Sequence, residues 1–165
     1  NAVEVLAGKL ADKGVKNIKM FDLSFTHYSD VIAEAFKASH IILASTTYNC
    51  GIFKSMKFFV DSLVAHNLQN RKFVLLGNGS WMPTATANLK VELEKLKGSE
   101  FLTEGLAIKS TLKEEQLTDL EYINDIIYDF GNAVDDVFGS KFSSIAKRIL
   151  SSCSALNVVG VPPPQ

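Results

Sequence analysis

Apolar residues recur along this chain with two alternating periods. Over residues 2–13, Val3, Leu6, Ala7 and Leu10 fall at i, i+3, i+4 and i+7, which places them on one helix face. Gly14 follows, and glycine suits a helix end because it accepts the left-handed conformation. Residues 17–23, with Ile18 and Met20, predict a strand that leaves through Asp22-Leu23-Ser24. A second helix is expected over 30–38, capped by Ser29 or Asp30 and burying Ile32, Ala35 and Phe36. Residues 40–44 are a nearly unbroken apolar run, the pattern of a parallel strand covered on both faces.

The alternation then continues. Phe53, Met56, Val60, Leu63 and Val64 form the stripe of a helix over 53–68, and residues 73–76 predict a further strand. Leu89, Leu93 and Leu96 mark a helix over 84–97, introduced by Pro83, where a missing amide hydrogen costs little. Residues 106–109 predict a short last strand. Thr111 and Glu114 have capping-box spacing and open a long helix with Leu120, Ile123, Ile127, Phe130, Val134 and Val137 on one stripe. Beyond Gly139 the pattern weakens to one more helix over 142–150 and an extended Pro162-Pro163-Pro164 tail.

Strands alternating with helices predict an α/β fold with a doubly wound parallel sheet. Residues 1–138 are expected to form that domain, and 139–165 a C-terminal extension of helix and Pro-rich tail. The first element, however, is a helix. In such sheets the first strand usually lies mid-sheet, and its exit turn holds phosphate against the first helix end. The pattern therefore predicts a domain lacking its first strand and phosphate loop. Its remaining strands must then close the gap or leave a groove of unpaired backbone.

Composition narrows the function. The 165 residues suffice for one core, and 47% hydrophobic with 21% charged residues is a globular balance. A net charge of −1 argues against a nucleic-acid partner. No apolar stretch is long enough to span a bilayer, and the N-terminal residues do not read as a signal peptide, so a cytoplasmic location is expected. Cys50 and Cys153 are expected as free thiols. His27, His40 and His66 show no metal-ligand spacing, so no metal site is expected. The acid pairs Glu114-Glu115 and Asp135-Asp136 read as solvated helix faces.

The chemistry is concentrated where two apolar runs stop in polar, turn-forming residues. The first run ends in Ser45-Thr46-Thr47-Tyr48-Asn49-Cys50-Gly51 and the second in Asn78-Gly79-Ser80-Trp81. In open α/β sheets ligands sit at the carboxyl ends of the strands. Tyr48 and Trp81 offer flat rings, Gly51 and Gly79 allow close backbone approach, and Ser45, Thr46, Thr47, Asn49, Asn78 and Ser80 offer short hydrogen-bonding side chains. That set suits a planar, polar-edged ring such as isoalloxazine. None of these residues needs to act as acid, base or nucleophile, and no catalytic residue is assigned. The structural alternatives are a Trp81 capping a hydrophobic edge, a Tyr48 packing over the core edge, and glycines that merely turn the chain.

Thr47-Tyr48-Asn49-x-Gly51-Ile52 and Asn78-Gly79-Ser80-Trp81-x-Pro83-Thr84-Ala85 together resemble the two flavin-ring loops of the flavodoxin-like domain of flavodiiron proteins, or A-type flavoproteins. The resemblance extends over roughly residues 1–130 and includes 11–25 and the Asn70-Arg71 turn. It implies FMN as cofactor and a share in an FMN-dependent oxidoreductase. It also implies an upstream metallo-β-lactamase-like diiron domain that reduces O2 or NO, a redox donor such as rubredoxin, and a homo-oligomeric full-length protein. The sequence departs from that pattern at the missing phosphate loop, at Cys50 and at Ala2, so weak or no FMN binding by this chain alone is expected. The competing readings are a free flavodoxin, an NAD(P)H-dependent FMN reductase fragment, and a cofactor-less interaction module on the same fold. A receiver domain would need an Asp where Ser45-Thr46-Thr47 stands.

Overall fold

The computed structural model describes residues 2–15, 17–138 and 155–160. In chain order the elements are α1 (Ala2–Asp12), β1 (Ile18–Asp22), α2 (Tyr28–Lys37), β2 (Ala38–Tyr48), β3 (Gly51–Ile52), α3 (Lys54–Ala65), β4 (Lys72–Gly79), α4 (Ala85–Leu93), β5 (Glu100–Phe101), β6 (Leu106–Lys109), α5 (Glu114–Phe138) and β7 (Ala155–Gly160). The seven strands make one sheet in the order β1-β7-β2-β4-β5, with β6 also on β4 and β3 on β2. All pairings are parallel except the β2–β3 hairpin. β5 and β6 pair with opposite ends of β4, so they form one interrupted edge.

The two-residue period of β2 and β4 builds the layers. Ile41, Leu43, Phe73 and Leu75 point to one face, where Val31 and Ala35 of α2, Phe59 and Leu63 of α3, and Leu89 and Leu93 of α4 bury against them. Ile42, Ala44, Val74 and Leu76 point to the other, under Leu6 and Leu10 of α1 and Leu120, Ile123 and Ile127 of α5. Helices on both faces of a parallel sheet make it doubly wound. Across the second face, Lys9 pairs with Glu121 and Lys13 with Asp125, tying α1 to α5.

Of the two outcomes expected for the gap, the structure shows the closed one. β7 lies between β1 and β2, with Ile18 to Asp22 opposite Leu156 to Gly160 on one side and His40 to Ala44 opposite the same residues on the other. Residues 155–160 are thus an interior strand rather than part of a tail, and they satisfy backbone edges on both neighbours. Among the described residues no strand precedes α1. The helix expected over 142–150 and the triproline lie outside the described residues.

Several boundaries shift for local reasons. α2 starts at Tyr28, because the His27 ring nitrogen Nδ1 accepts from the Ser29 amide; Ser29 and Asp30 lie inside the helix rather than at its cap. Phe36, expected inside, is exposed: the buried stripe runs through Val31 and Ala35, and the next residue is turned about 100° away. Before α5 the box sits two residues later than expected. The Gln116 side chain accepts from the Lys113 amide at 3.3 Å, so Lys113 and Gln116 occupy the positions assigned to Thr111 and Glu114. β5 was not foreseen, since two residues carry no period.

Candidate functional site

β2 and β4 are hydrogen-bonded neighbours in parallel register, with Ser45 opposite Gly77 and Thr46 opposite Asn78. Both polar loops therefore leave the same edge of the sheet, side by side. The first is tighter than the sequence suggested. Thr47 pairs with Ile52 and Tyr48 with Gly51, so the chain reverses over Asn49 and Cys50 alone. Their φ angles are 50° and 58°, the left-handed pair that a two-residue hairpin requires. Asparagine tolerates this conformation, and Cys50 is strained by roughly 1 kcal/mol relative to glycine.

Side chains from the second loop and the first turn of α4 clamp this hairpin. The Cys50 carbonyl accepts from Thr84 Oγ1 at 3.0 Å and from Asn88 Nδ2 at 3.0 Å. Thr47 Oγ1 accepts from the Ala85 amide at 3.2 Å, satisfying a free donor at the start of α4. Gly79 is fixed by packing: a Cβ there would lie 3.0 Å from Pro83 Cα and 3.1 Å from Thr47 Oγ1. A Cβ at Gly51 would make only ordinary contact, 3.5 Å from the Tyr48 carbonyl.

The ten residues singled out in the sequence thus divide. Ser45 is buried, donating to the Thr46 carbonyl and accepting from the Phe53 amide, so it holds the start of α3. Asn78 donates to the Ser110 carbonyl at 3.0 Å and joins β4 to the end of β6. Thr47 and Gly79 are engaged as described. Thr46 Oγ1 is buried with no hydrogen-bond partner among the described residues. Asn49 shapes the hairpin, Gly51 pairs in it, and Ser80 is exposed beside the tryptophan. Tyr48 and Trp81 remain as the surfaces on offer: Tyr48 is 50% exposed and Trp81 is 92% exposed, with Met82 beside it at 65%. Trp81 therefore does not cap the core. The Tyr48 ring meets Phe53 edge-on at 6.1 Å, and the Lys54 ammonium lies 5.8 Å from its centroid.

Sequence reasoning missed Thr84 and Asn88, whose roles depend on a carbonyl 34 and 38 residues away and leave no local signal. At the opposite end of β2, His40 is 8% exposed, with Nδ1 2.9 Å from Ser39 Oγ and, among the described residues, no hydrogen-bond partner for Nε2. Burial, helped by Lys72 opposite it, lowers its pKa to about 4. Two open grooves lie away from the loop tips. One of about 570 Å³ sits between β1 and α2, and one of about 500 Å³ between the β5–β6 edge and α5. Among the described residues no three His, Cys, Asp or Glu side chains gather as a metal site would need, and no helix is long and apolar enough to cross a membrane. Cys50 is a free, exposed thiol.

The layered parallel sheet with its ligand-type loops at the carboxyl edge is the flavodoxin-like fold. Solved structures of that class superpose on it. The rubredoxin oxygen:oxidoreductase of Desulfovibrio gigas matches with a TM-score of 0.70 and 21% identity over 76% of this chain and 31% of its own. The flavodiiron protein of Giardia intestinalis matches at 0.68 and 16% identity over 74% of this chain and 30% of its own. A flavodoxin of Bacillus cereus matches at 0.61 and 18% identity, over 76% of this chain and 85% of its own. This chain thus spans less than a third of the two longer proteins and most of the flavodoxin. No family model and no curated protein matches the sequence.

Proposed function

We propose that this chain is the flavin-binding electron-transfer domain of a flavodiiron-type oxidoreductase, working in the cytoplasm. The observation that carries the reading is the pair of exposed rings, Tyr48 and Trp81, on adjacent loops that are hydrogen-bonded into one unit. Exposed aromatic surface at a ligand-type edge is costly unless something covers it. A flat ring stacked there would gain about 0.5–1.5 kcal/mol per aromatic contact beyond simple burial. When bound, the flavin supplies the redox chemistry; the protein's share is to place the ring and exclude water from it. The clamp on the Cys50 carbonyl orders the hairpin that carries Tyr48, which lowers the ordering cost of binding there.

The finer parts of the reading come from the loop resemblance. They are FMN as the flavin, a diiron domain upstream as electron acceptor, a donor such as rubredoxin, O2 or NO as terminal acceptor, and a homo-oligomeric full-length protein. A second reading, a cofactor-less interaction module, is favoured by the hydroxyl of Thr47 and the amide of Asn78 being already engaged within the fold. Titration with flavin separates the two. The flavin reading expects saturable binding that a Tyr48→Ala, Trp81→Ala double variant weakens by about 1 kcal/mol per ring removed. No binding, or equal binding by the double variant, leaves the interaction module.

A further inference from the structure

The interrupted edge of the sheet leaves a preformed groove. Phe73 of β4 pairs with Phe101, Leu76 pairs with Leu106, and the chain between those partners bends. The bend is pinned at both ends. The Leu102 amide donates to the Phe73 carbonyl at 3.0 Å, and Thr103 Oγ1 accepts from the Gly105 amide at 3.3 Å. Gly105 has φ 93°, and a Cβ there would lie 3.3 Å from the Leu75 carbonyl oxygen, so the backbone sits close against β4. The groove of about 500 Å³ runs between this bend and α5. Leu106 and Ile123 line it from the core, Leu102 is half-buried, and Tyr122 stands 65% exposed at its wall.

The charge along the groove is one-sided. α5 contains no Lys, Arg or His, although the whole chain is nearly balanced, with 17 basic and 18 acidic residues. On one flank of α5, Glu121 and Asp125 are neutralised by Lys9 and Lys13. Glu115, Asp119 and Tyr122 follow at i, i+4 and i+7, on the flank that borders the groove. Glu115 and Asp119 are exposed and form no ion pair among the described residues. Glu104, on the bend, meets Lys90 at 3.4 Å, an exposed pair of the kind that contributes little and exchanges readily.

We propose that this groove docks a partner protein through a segment in which an apolar side chain is flanked by lysine or arginine. The apolar side chain covers Leu102, Leu106 and the Tyr122 ring, and the bases meet Asp119, Glu115 and Glu104. Tyrosine suits such a place, because its ring buries a large area at little entropic cost and its hydroxyl stays wet. The carboxylates draw in a basic segment and turn away an acidic one. Docking here is independent of the flavin reading, since the groove lies away from the loop tips.

The test titrates the intact, nitrogen-15-labelled chain with a blocked peptide, Lys-Arg-Leu-Lys-Arg, and follows backbone amide resonances. Saturable shifts are expected over residues 101–106 and 115–123, with none from the counterpart Glu-Glu-Leu-Glu-Glu. An Asp119→Lys, Tyr122→Ser double variant changes two exposed side chains and is expected to weaken binding about tenfold, from an ion pair and an apolar contact worth about threefold each. Raising salt from about 0.1 M to 1 M shortens the screening length from about 10 Å to 3 Å and should weaken the native chain more than the variant. No saturable shifts, equal binding of the acidic peptide, equal binding by the double variant, or shifts centred on the 47–53 hairpin and Trp81 would each overturn the proposal. Self-association of the chain that the double variant abolishes would give the groove to a second copy and overturn it as well.

Discussion

Replacing His40 with leucine should flatten the acid dependence of stability. His40 is held neutral in the folded chain because burial lowers its pKa from 6.5 to about 4. In the unfolded chain it titrates near the ordinary value. Between those two values the unfolded state binds a proton that the folded state refuses, so stability rises with pH across that window and is lost as pH falls through it. With 1.36 kcal/mol per pKa unit, the loss on going from pH 7 to pH 5 is about 2 kcal/mol. It reaches roughly 3 kcal/mol below pH 4. Carboxylates also contribute at the acid end: Lys19 and then Lys37 hold Glu34 below its usual value, so its stabilisation is lost at lower pH still. Comparison with His40→Leu cancels that background. Urea unfolding at pH 7 and pH 5 should show the wild-type chain losing about 2 kcal/mol more than the variant. The His40 ring resonance, assigned by its absence from the variant, should titrate well below the usual histidine range. Equal losses in the two proteins, or a His40 midpoint near 6.5, would refute the reasoning.

Other perturbations test the clamp, the hairpin and the inserted strand. Asn88→Ala and Thr84→Val each remove one donor to the Cys50 carbonyl and should cost about 1 kcal/mol, with faster amide exchange confined to the 47–53 hairpin; protection unchanged in the double variant would show the clamp is not what orders it. Cys50→Gly relieves a left-handed residue and should raise stability by up to about 1 kcal/mol in chemical denaturation, and a loss would contradict the strain assigned there. Val158→Pro removes an amide from a strand paired on both sides and should cost about 3 kcal/mol or more, seen as a shifted denaturation midpoint; an unchanged midpoint would mean β7 does not close the sheet.

The layers were legible because burial on both faces leaves a strong imprint. The unbroken run at 40–44 and the stripe through Met56, Val60 and Leu63 mark parallel strand and amphipathic helix without help from the rest of the chain. That both polar loops leave one edge of the sheet was legible for the same reason: an apolar run that stops in polar residues reads as a strand reaching an edge. The roles within it were not. Thr47 and Gly79 look like ligand-binding residues in sequence, yet their contacts are to Ala85 and Pro83, and only tertiary adjacency decides that. β7 was hidden because six residues of weak pattern beside a triproline resemble a tail. What makes them a strand is the pair of open edges on β1 and β2, which are far away in sequence. Phe36 shows the limit of period alone, since its helix face lies next to the buried one.

Trp81 is the only tryptophan in the chain and stands 92% exposed at the centre of the proposed site. Its fluorescence during titration with riboflavin is therefore the most direct measurement of the central claim. The account expects saturable quenching of Trp81 emission, with the same midpoint as the change in flavin fluorescence, because the ring settles beside it. Flavin binding that saturates while Trp81 emission stays unchanged would place the ligand elsewhere and contradict the account.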